Sequence, residues 1–211
     1  YIYDANDNLI EIVDANGNTR GITYDLLSRR TELQDLHAPG DNTYATWQYT
    51  YDAAGNLVEE TLPDGPTVAR TYDDLNRLKI EDHSDSDTAD SQYTYDTCEE
   101  GVGRLCQASH GSATTYYEYD HAGNAATEQV RIGATLYTRS EEFNRQGQLN
   151  EIVNPDGSSV YNQYDSGGAL NHIAYVSKSG SSTIVSNIEY GPHGHVVLQE
   201  HGNGTKVLKT Y

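Results

Sequence analysis

The strongest constraint on this chain is a short unit that recurs along its whole length. Residues 51–57, Tyr-Asp-Ala-Ala-Gly-Asn-Leu, show the unit in full: an aromatic residue, a polar turn and a new apolar residue. The first residue of the unit, here called the tyrosine slot, recurs at Tyr3, Tyr24, Tyr51, Tyr72, Tyr95, Tyr119, Phe143, Tyr164, Tyr190 and Tyr211. A spacing of 21 to 27 residues is typical of repeat proteins, in which each unit packs on its neighbours.

Three further positions of the unit carry turn and strand signals. Residue types that tolerate positive φ stand four residues after the slot: Asp7, Ser28, Gly55, Asn76, Gly123, Gly147, Gly168 and Gly194. Two residues later comes the leucine slot, at Leu9, Leu57, Leu78, Leu149, Leu170 and Val196, with weaker copies at Arg30 and Ala125. A second turn signal lies at Gly17, Gly65, Gly157 and Gly204. The pattern predicts strand, turn, strand, turn, with strands of about five or six residues.

These signals predict an all-β fold made of consecutive antiparallel hairpins in one long curved sheet. Residues 1–211 are interpreted as a single array of about nine repeats. Because the sequence starts and stops within a repeat, we expect it to be a fragment of a larger protein. Two exposed edge strands would let such a fragment dimerise by edge pairing.

The aromatic composition is unusual, with 18 Tyr against one Phe and one Trp. Tyrosine combines an apolar ring with a polar tip, which suits a thin sheet without a deep core. Trp47, Tyr49 and Tyr51 alternate with polar residues, so they are expected on one face. We predict that such residues form an aromatic ladder across neighbouring strands. Packing is the favoured role of this ladder, and a sugar-binding platform is the alternative.

The charge excludes some partners. With 32 acidic and 13 basic residues, the net charge is -19, and no Lys/Arg cluster is present. Nucleic acid and anionic membrane surfaces are therefore not expected as partners. No apolar run approaches the length of a membrane span.

The two cysteines, Cys98 and Cys106, bracket an enlarged turn after Tyr95. Cysteines on the two strands of one hairpin can meet the separation that a disulfide requires, so a Cys98–Cys106 bond is the favoured interpretation. It would imply an oxidising compartment. Free thiols and a metal-binding pair remain as alternatives.

Metal-binding and catalytic signals are weak. The acidic loop 82–90 lacks the spacing of an EF-hand, so a solvated loop is favoured over a calcium site. His193, His195 and His201 are interpreted as turn and strand residues rather than metal ligands. Nucleophile elbows, phosphate loops and paired-histidine zinc motifs are absent from the sequence. We expect no enzymatic activity, no cofactor and no metal.

The repeated Tyr-Asp units at 24–25, 51–52, 72–73 and 119–120 resemble the YD repeats of the Rhs family. That family includes bacterial polymorphic toxins, the B and C components of insecticidal toxin complexes, wall-associated proteins and teneurins. The resemblance implies a β-sheet strip that spirals into a hollow shell around a C-terminal toxin. The family's Asp-Pro-x-Gly self-cleavage motif has no match here, because residues 154–157 read Asn-Pro-Asp-Gly.

The resemblance implies a non-catalytic role as a shell segment of a secreted or cell-surface bacterial toxin. Its partners would be the rest of the shell in the same polypeptide and the enclosed toxin domain. The alternative is an adhesion module that binds a glycan or a cell-surface partner.

Overall fold

The computed structural model describes residues 1–85 and 87–210, and these residues contain strands and turns but no helix. They form two compact units. Unit 1 comprises Tyr1–Tyr93 and Ser109–Gly111, and unit 2 comprises Thr94–Ala108 and Ser112–Tyr211. Tyr211, the last predicted tyrosine slot, and Ser86, in the acidic loop, lie outside the described residues.

The strands follow one another along the chain with only turns and loops between them. Those of unit 1 are β1 (Ile2–Tyr3), β2 (Leu9–Val13), β3 (Thr19–Tyr24), β4 (Arg30–Gln34), β5 (Thr46–Tyr51), β6 (Leu57–Thr61), β7 (Thr67–Tyr72) and β8 (Leu78–His83). Two strands contain residues of both units, β9 (Ser91–Tyr95) and β10 (Leu105–His110). Those of unit 2 are β11 (Ala113–Tyr119), β12 (Ala125–Ile132), β13 (Thr135–Phe143), β14 (Leu149–Val153), β15 (Ser159–Tyr164), β16 (Leu170–Ser177), β17 (Gly180–Tyr190), β18 (Val196–His201) and β19 (Lys206–Leu208).

Each strand pairs antiparallel with the next strand in sequence. This holds in unit 1 from β1 through β8, and in unit 2 from β11 through β19. The sheet of each unit is therefore a succession of hairpins. The predicted fold class, all-β with consecutive antiparallel hairpins, is confirmed.

The repeat signals mark the strand ends. Every odd-numbered strand from β1 to β17 ends at a tyrosine slot, and every even-numbered strand from β2 to β18 begins at a leucine slot, with Leu105 in that role in the enlarged repeat. At the turn between them, the Gly55 N–H donates to Asp52 O at 3.1 Å and the Asp52 N–H donates to Asn56 O at 3.0 Å. Gly55 has φ 95°, which a glycine adopts without strain.

The predicted aromatic ladder is wrong, and the register explains why. Tyrosine slots occupy alternate strands, so a strand that begins with a leucine slot always lies between two of them. Tyr51 is directly opposite Leu57, and Trp47 is opposite Leu33. Tyr49 and Tyr117 are opposite glutamates, Glu60 and Glu128, so the rings have aliphatic or charged cross-strand neighbours rather than aromatic ones.

A hydrogen bond made by the tyrosine at six of the slots explains the preference for Tyr over Phe. The Tyr72 hydroxyl donates to the carbonyl of Leu57, the leucine slot of the preceding repeat, at 2.9 Å. We call this bond the tyrosine latch. It recurs between Tyr24 and Leu9, Tyr51 and Arg30, Tyr119 and Leu105, Tyr164 and Leu149, and Tyr190 and Leu170, at 2.7 to 3.0 Å. Phe143 has no hydroxyl and cannot make it.

The described residues bury little apolar surface. Only Tyr49, Val68, Cys106 and Val185 are buried apolar side chains, and no side chain is completely buried. The sheet therefore depends on strand pairing and on bonds between neighbouring repeats, as expected for a protein in which each unit contacts only its neighbours.

The tyrosine latch can be tested by single-atom changes. Tyr72→Phe should lower the free energy of unfolding by about 0.5–1.5 kcal/mol, because it removes one hydrogen bond from a half-buried site. Urea denaturation followed by circular dichroism measures the change. Tyr137→Phe is the matched control, since the Tyr137 side chain is 46% exposed and should change stability little.

The converse substitution, Phe143→Tyr, should raise stability by supplying the missing hydroxyl to the carbonyl of Ala125. If Tyr72→Phe and Tyr137→Phe have equal effects, the latch does not contribute to stability.

Candidate functional site

Five of the turns that follow the tyrosine slots share one side-chain arrangement. In the turn after Tyr51, one carboxylate oxygen of Asp52 accepts the backbone N–H of Asn56 at 2.8 Å, and the other accepts its side-chain N–H at 2.9 Å. The same arrangement joins Asp4 to Asn8 and Asp120 to Asn124, and arginine replaces the asparagine in the pairs Asp25–Arg29 and Asp73–Arg77. Each of these five turns is therefore closed by its own aspartate.

Residues of these turns also reach the next repeat. Asn56 donates its side-chain N–H to Asn76 Oδ1 at 2.8 Å, and Gln148 donates to Gly168 O at 2.6 Å. The Arg29 guanidinium lies over the Tyr51 ring at 4.7 Å and donates to Asp52 O at 3.2 Å. The turns thus form a polar row that links consecutive repeats beside the tyrosine latches.

Hydrogen bonds to these turn aspartates lower their pKa values. The pKa of Asp52 is lowered chiefly by the side-chain N–H of Asn56, and those of Asp4 and Asp120 are lowered in the same way by their asparagines. In the arginine-containing turns, the backbone N–H of Arg29 is the largest cause of the lowered pKa of Asp25. A carboxylate with a lowered pKa stabilises the folded state fully above its unfolded pKa of about 3.9, and this contribution is lost as the pH falls through the folded value.

The turn after Phe143 offers a neutral version of the same closure. There Asn144 accepts the backbone N–H of Gln148 at 2.9 Å and donates its own side-chain N–H to Gln148 Oε1 at 2.9 Å. No carboxylate is involved, so this closure is independent of protonation in the acidic range.

Replacing an aspartate-closed turn by the neutral Asn-Gln closure should make the stability of the fold less sensitive to acid. In the double variant Asp52→Asn/Asn56→Gln, the urea midpoint should fall less between pH 6 and pH 3 than it does in the unmodified chain, because one carboxylate with a lowered pKa has been removed. Parallel urea titrations at both pH values measure this. Identical decreases in the two proteins would contradict the role assigned to Asp52.

The enlarged turn in the fifth repeat is closed by a disulfide. The structure joins Cys98 to Cys106, with their Cα atoms 5.4 Å apart. Gly101 packs against both sulfurs, and a Cβ atom added to it would lie 2.7 Å from Cys106 Sγ. The His121 ring contacts the Glu100 carboxylate at 2.7 Å, so the enlarged turn also reaches the next turn of the row.

We expect the disulfide to contribute to stability. The double variant Cys98→Ser/Cys106→Ser should unfold with a free energy lower by about 2–3 kcal/mol, because the bond closes a short loop in the unfolded chain. Reduction should add about 2 Da to the mass of the unmodified protein only. Equal urea midpoints for the oxidised protein and the double variant would contradict the prediction.

The other sequence-based candidates are placed as follows. In the acidic loop, Asp85 accepts the backbone N–H groups of Asp87 and Thr88 at 3.1 and 2.6 Å, so its carboxylate helps to shape the loop. The His193 and His195 rings lie 6.3 Å apart, and His201 ends β18. Within residues 1–85 and 87–210, no three side chains of metal-binding type are grouped to hold an ion.

A groove in unit 2 was not predicted from the sequence. It has a volume of about 670 Å³, and Glu142, Glu151, Tyr161 and Gln163 are among its lining residues. Glu142 and Glu151 are directly opposite each other on β13 and β14, and Tyr161 on β15 is opposite Glu151. The sequence contains these residues, but only the register shows that they are neighbours.

No helix in the described part of the chain has the length and apolarity of a membrane span.

The RHS Repeat family model matches residues 3–43, 36–67 and 51–90. Beyond residue 90 the same hairpin unit continues, with tyrosine slots at the ends of β9, β11, β13, β15 and β17. Residues 3–90 therefore match the Rhs-repeat family, and the rest of the described chain repeats the same hairpin unit. No curated protein sequence matches it.

Solved structures of toxin components share the fold over nearly the whole chain. The crystal structure of TcdB2-TccC3 has a TM-score of 0.72 at 14% identity, covering 100% of this chain and 14% of that chain. The TcdB2-TccC3-Cdc42 structure has a TM-score of 0.70 at 15% identity, covering 100% of this chain and 13% of that one. A Tc holotoxin pore from Photorhabdus luminescens, with a substitution in TccC3, has a TM-score of 0.68 at 15% identity, covering 99% and 13%. The chain thus spans about an eighth of the length of these proteins, and the likeness concerns the fold.

Proposed function

We propose that this chain is a segment of the β-sheet wall of a secreted Rhs-repeat toxin, and that the wall encloses a toxin domain of the same polypeptide. The fold shared with TcdB2-TccC3 supports this function. The rest of the wall and the enclosed domain are the partners of the segment. Its task is to keep proteases and bulk solvent from the enclosed domain, and it performs no chemistry.

The observation that carries the proposal is the succession of hairpins linked by tyrosine latches with almost no buried core. A globular domain is stabilised by apolar side chains packed inside it, whereas here four apolar side chains are buried among the described residues. Because each repeat is stabilised by its contacts with the adjacent repeats, a sheet of this kind can be extended by adding repeats. Such a sheet separates two spaces rather than enclosing its own core.

Strand pairing also suits a barrier. Neighbouring strands lie about 4.8 Å apart and their backbone groups are joined by hydrogen bonds. A polypeptide cannot pass between paired strands, so the wall excludes proteases wherever the ladder is unbroken. The disulfide of the enlarged turn is consistent with function outside the reducing cytosol.

The proposal is tested by protection of an internal cleavage site. In the complete polypeptide that contains these residues, a recognition sequence for a site-specific protease is placed in the C-terminal region. A second copy is inserted between Gly40 and Asp41, in an exposed loop of this chain. Under native conditions the loop site should be cut within minutes and the C-terminal site should resist; both should be cut in urea.

Cleavage of both sites at the same native rate would overturn the enclosure. The loop site serves as the control for protease activity, because its accessibility does not depend on what the wall contains.

A further inference from the structure

The unit 2 groove carries negative charge that no described basic side chain neutralises. Glu142 and Glu151 lie directly opposite each other, and like charges in such a pair are unfavourable. Among the ion pairs of residues 1–85 and 87–210, none involves either carboxylate. Tyr161, opposite Glu151, is 38% exposed. The groove therefore offers two carboxylates and an aromatic ring together.

Elsewhere in this chain, parts of this combination hold a guanidinium: a carboxylate with an aromatic ring at one site, and two carboxylates at another. Arg29 lies between the Asp25 carboxylate at 2.7 Å and the Tyr51 ring at 4.7 Å. Arg70 bridges two carboxylates on the neighbouring strands, Glu60 at 3.3 Å and Glu81 at 2.8 Å. These internal sites show which cation the arrangement accepts.

We propose that the groove lined by Glu142, Glu151 and Tyr161 binds an arginine side chain presented by a basic polypeptide segment. The two carboxylates accept the guanidinium N–H groups, and the Tyr161 ring lies against its planar face. Binding relieves the repulsion between Glu142 and Glu151. Arginine suits the groove better than lysine, because its planar group can serve both carboxylates and the ring at once.

Two further observations agree with a cationic occupant. The net charge of -19 attracts basic segments to the chain at long range. The pKa of Tyr161 is raised, first by a hydrogen bond with Glu151 and further by the charges of Glu151 and Glu142, as expected beside a negatively charged groove. The proposal does not depend on whether the chain encloses a toxin.

The experiment is a calorimetric titration of the 211-residue protein with hexa-arginine at low ionic strength. Glu142→Gln/Glu151→Gln should weaken binding at least tenfold, since charge-assisted hydrogen bonds are lost. Tyr161→Ala should weaken it about two- to fivefold, whereas Tyr161→Phe, which keeps the ring, should leave it unchanged.

The matched control is Glu59→Gln/Glu99→Gln, which removes the same charge from exposed positions outside the groove. It should leave the affinity within about twofold of the original, as expected for screened charges distant from the site. Equal weakening by both double variants would show attraction to net charge alone and would overturn the proposal. The proposal would also be overturned if hexa-arginine showed no measurable binding. Maltotriose tests the alternative of a glycan site, and its binding without displacement by hexa-arginine would likewise overturn the proposal. Circular dichroism confirms that each variant is folded.

Discussion

The tyrosine latch is the interaction on which the repeat architecture depends. Antiparallel pairing alone holds neighbouring strands together, but it does not fix where one hairpin starts relative to the last. The hydroxyl of Tyr72 donates to Leu57 O, so the end of one hairpin is tied to the start of the strand before it. Because a slipped register would break this bond and the turn bonds beside it, the latch favours the native alignment of the repeats that carry it.

Turn closure shows that one geometry can be reached by several side chains. Asparagine and arginine both complete the aspartate-closed turns, at Asn56 and Arg29, while Asn144 and Gln148 complete the same turn without charge. The positive-φ position is equally variable, with Gly55, Ser28 and Asn76 all in that conformation. What the repeats share is therefore a pattern of donors and acceptors rather than a fixed sequence.

Much of this fold could be predicted from sequence, because turn chemistry is local. The predicted slots at Tyr51 and Leu57 coincide with the end of β5 and the start of β6. The aromatic ladder failed because it needed knowledge of which strands are neighbours, and the tyrosine slots lie on alternate strands. The latch and the groove at Glu142, Glu151 and Tyr161 were missed for the same reason, since both depend on register between strands rather than on composition.

The enlarged turn of the fifth repeat illustrates how such a sheet can change over time. Four residues have been added there, yet Leu105 still begins β10 and still accepts the latch from Tyr119. The added residues lie in the turn between β9 and β10, which the Cys98–Cys106 disulfide closes. The adjoining strands keep their pairing. A chain assembled in this way can be lengthened, shortened or decorated at its turns by gene duplication and small insertions, without redesign of the strands on either side.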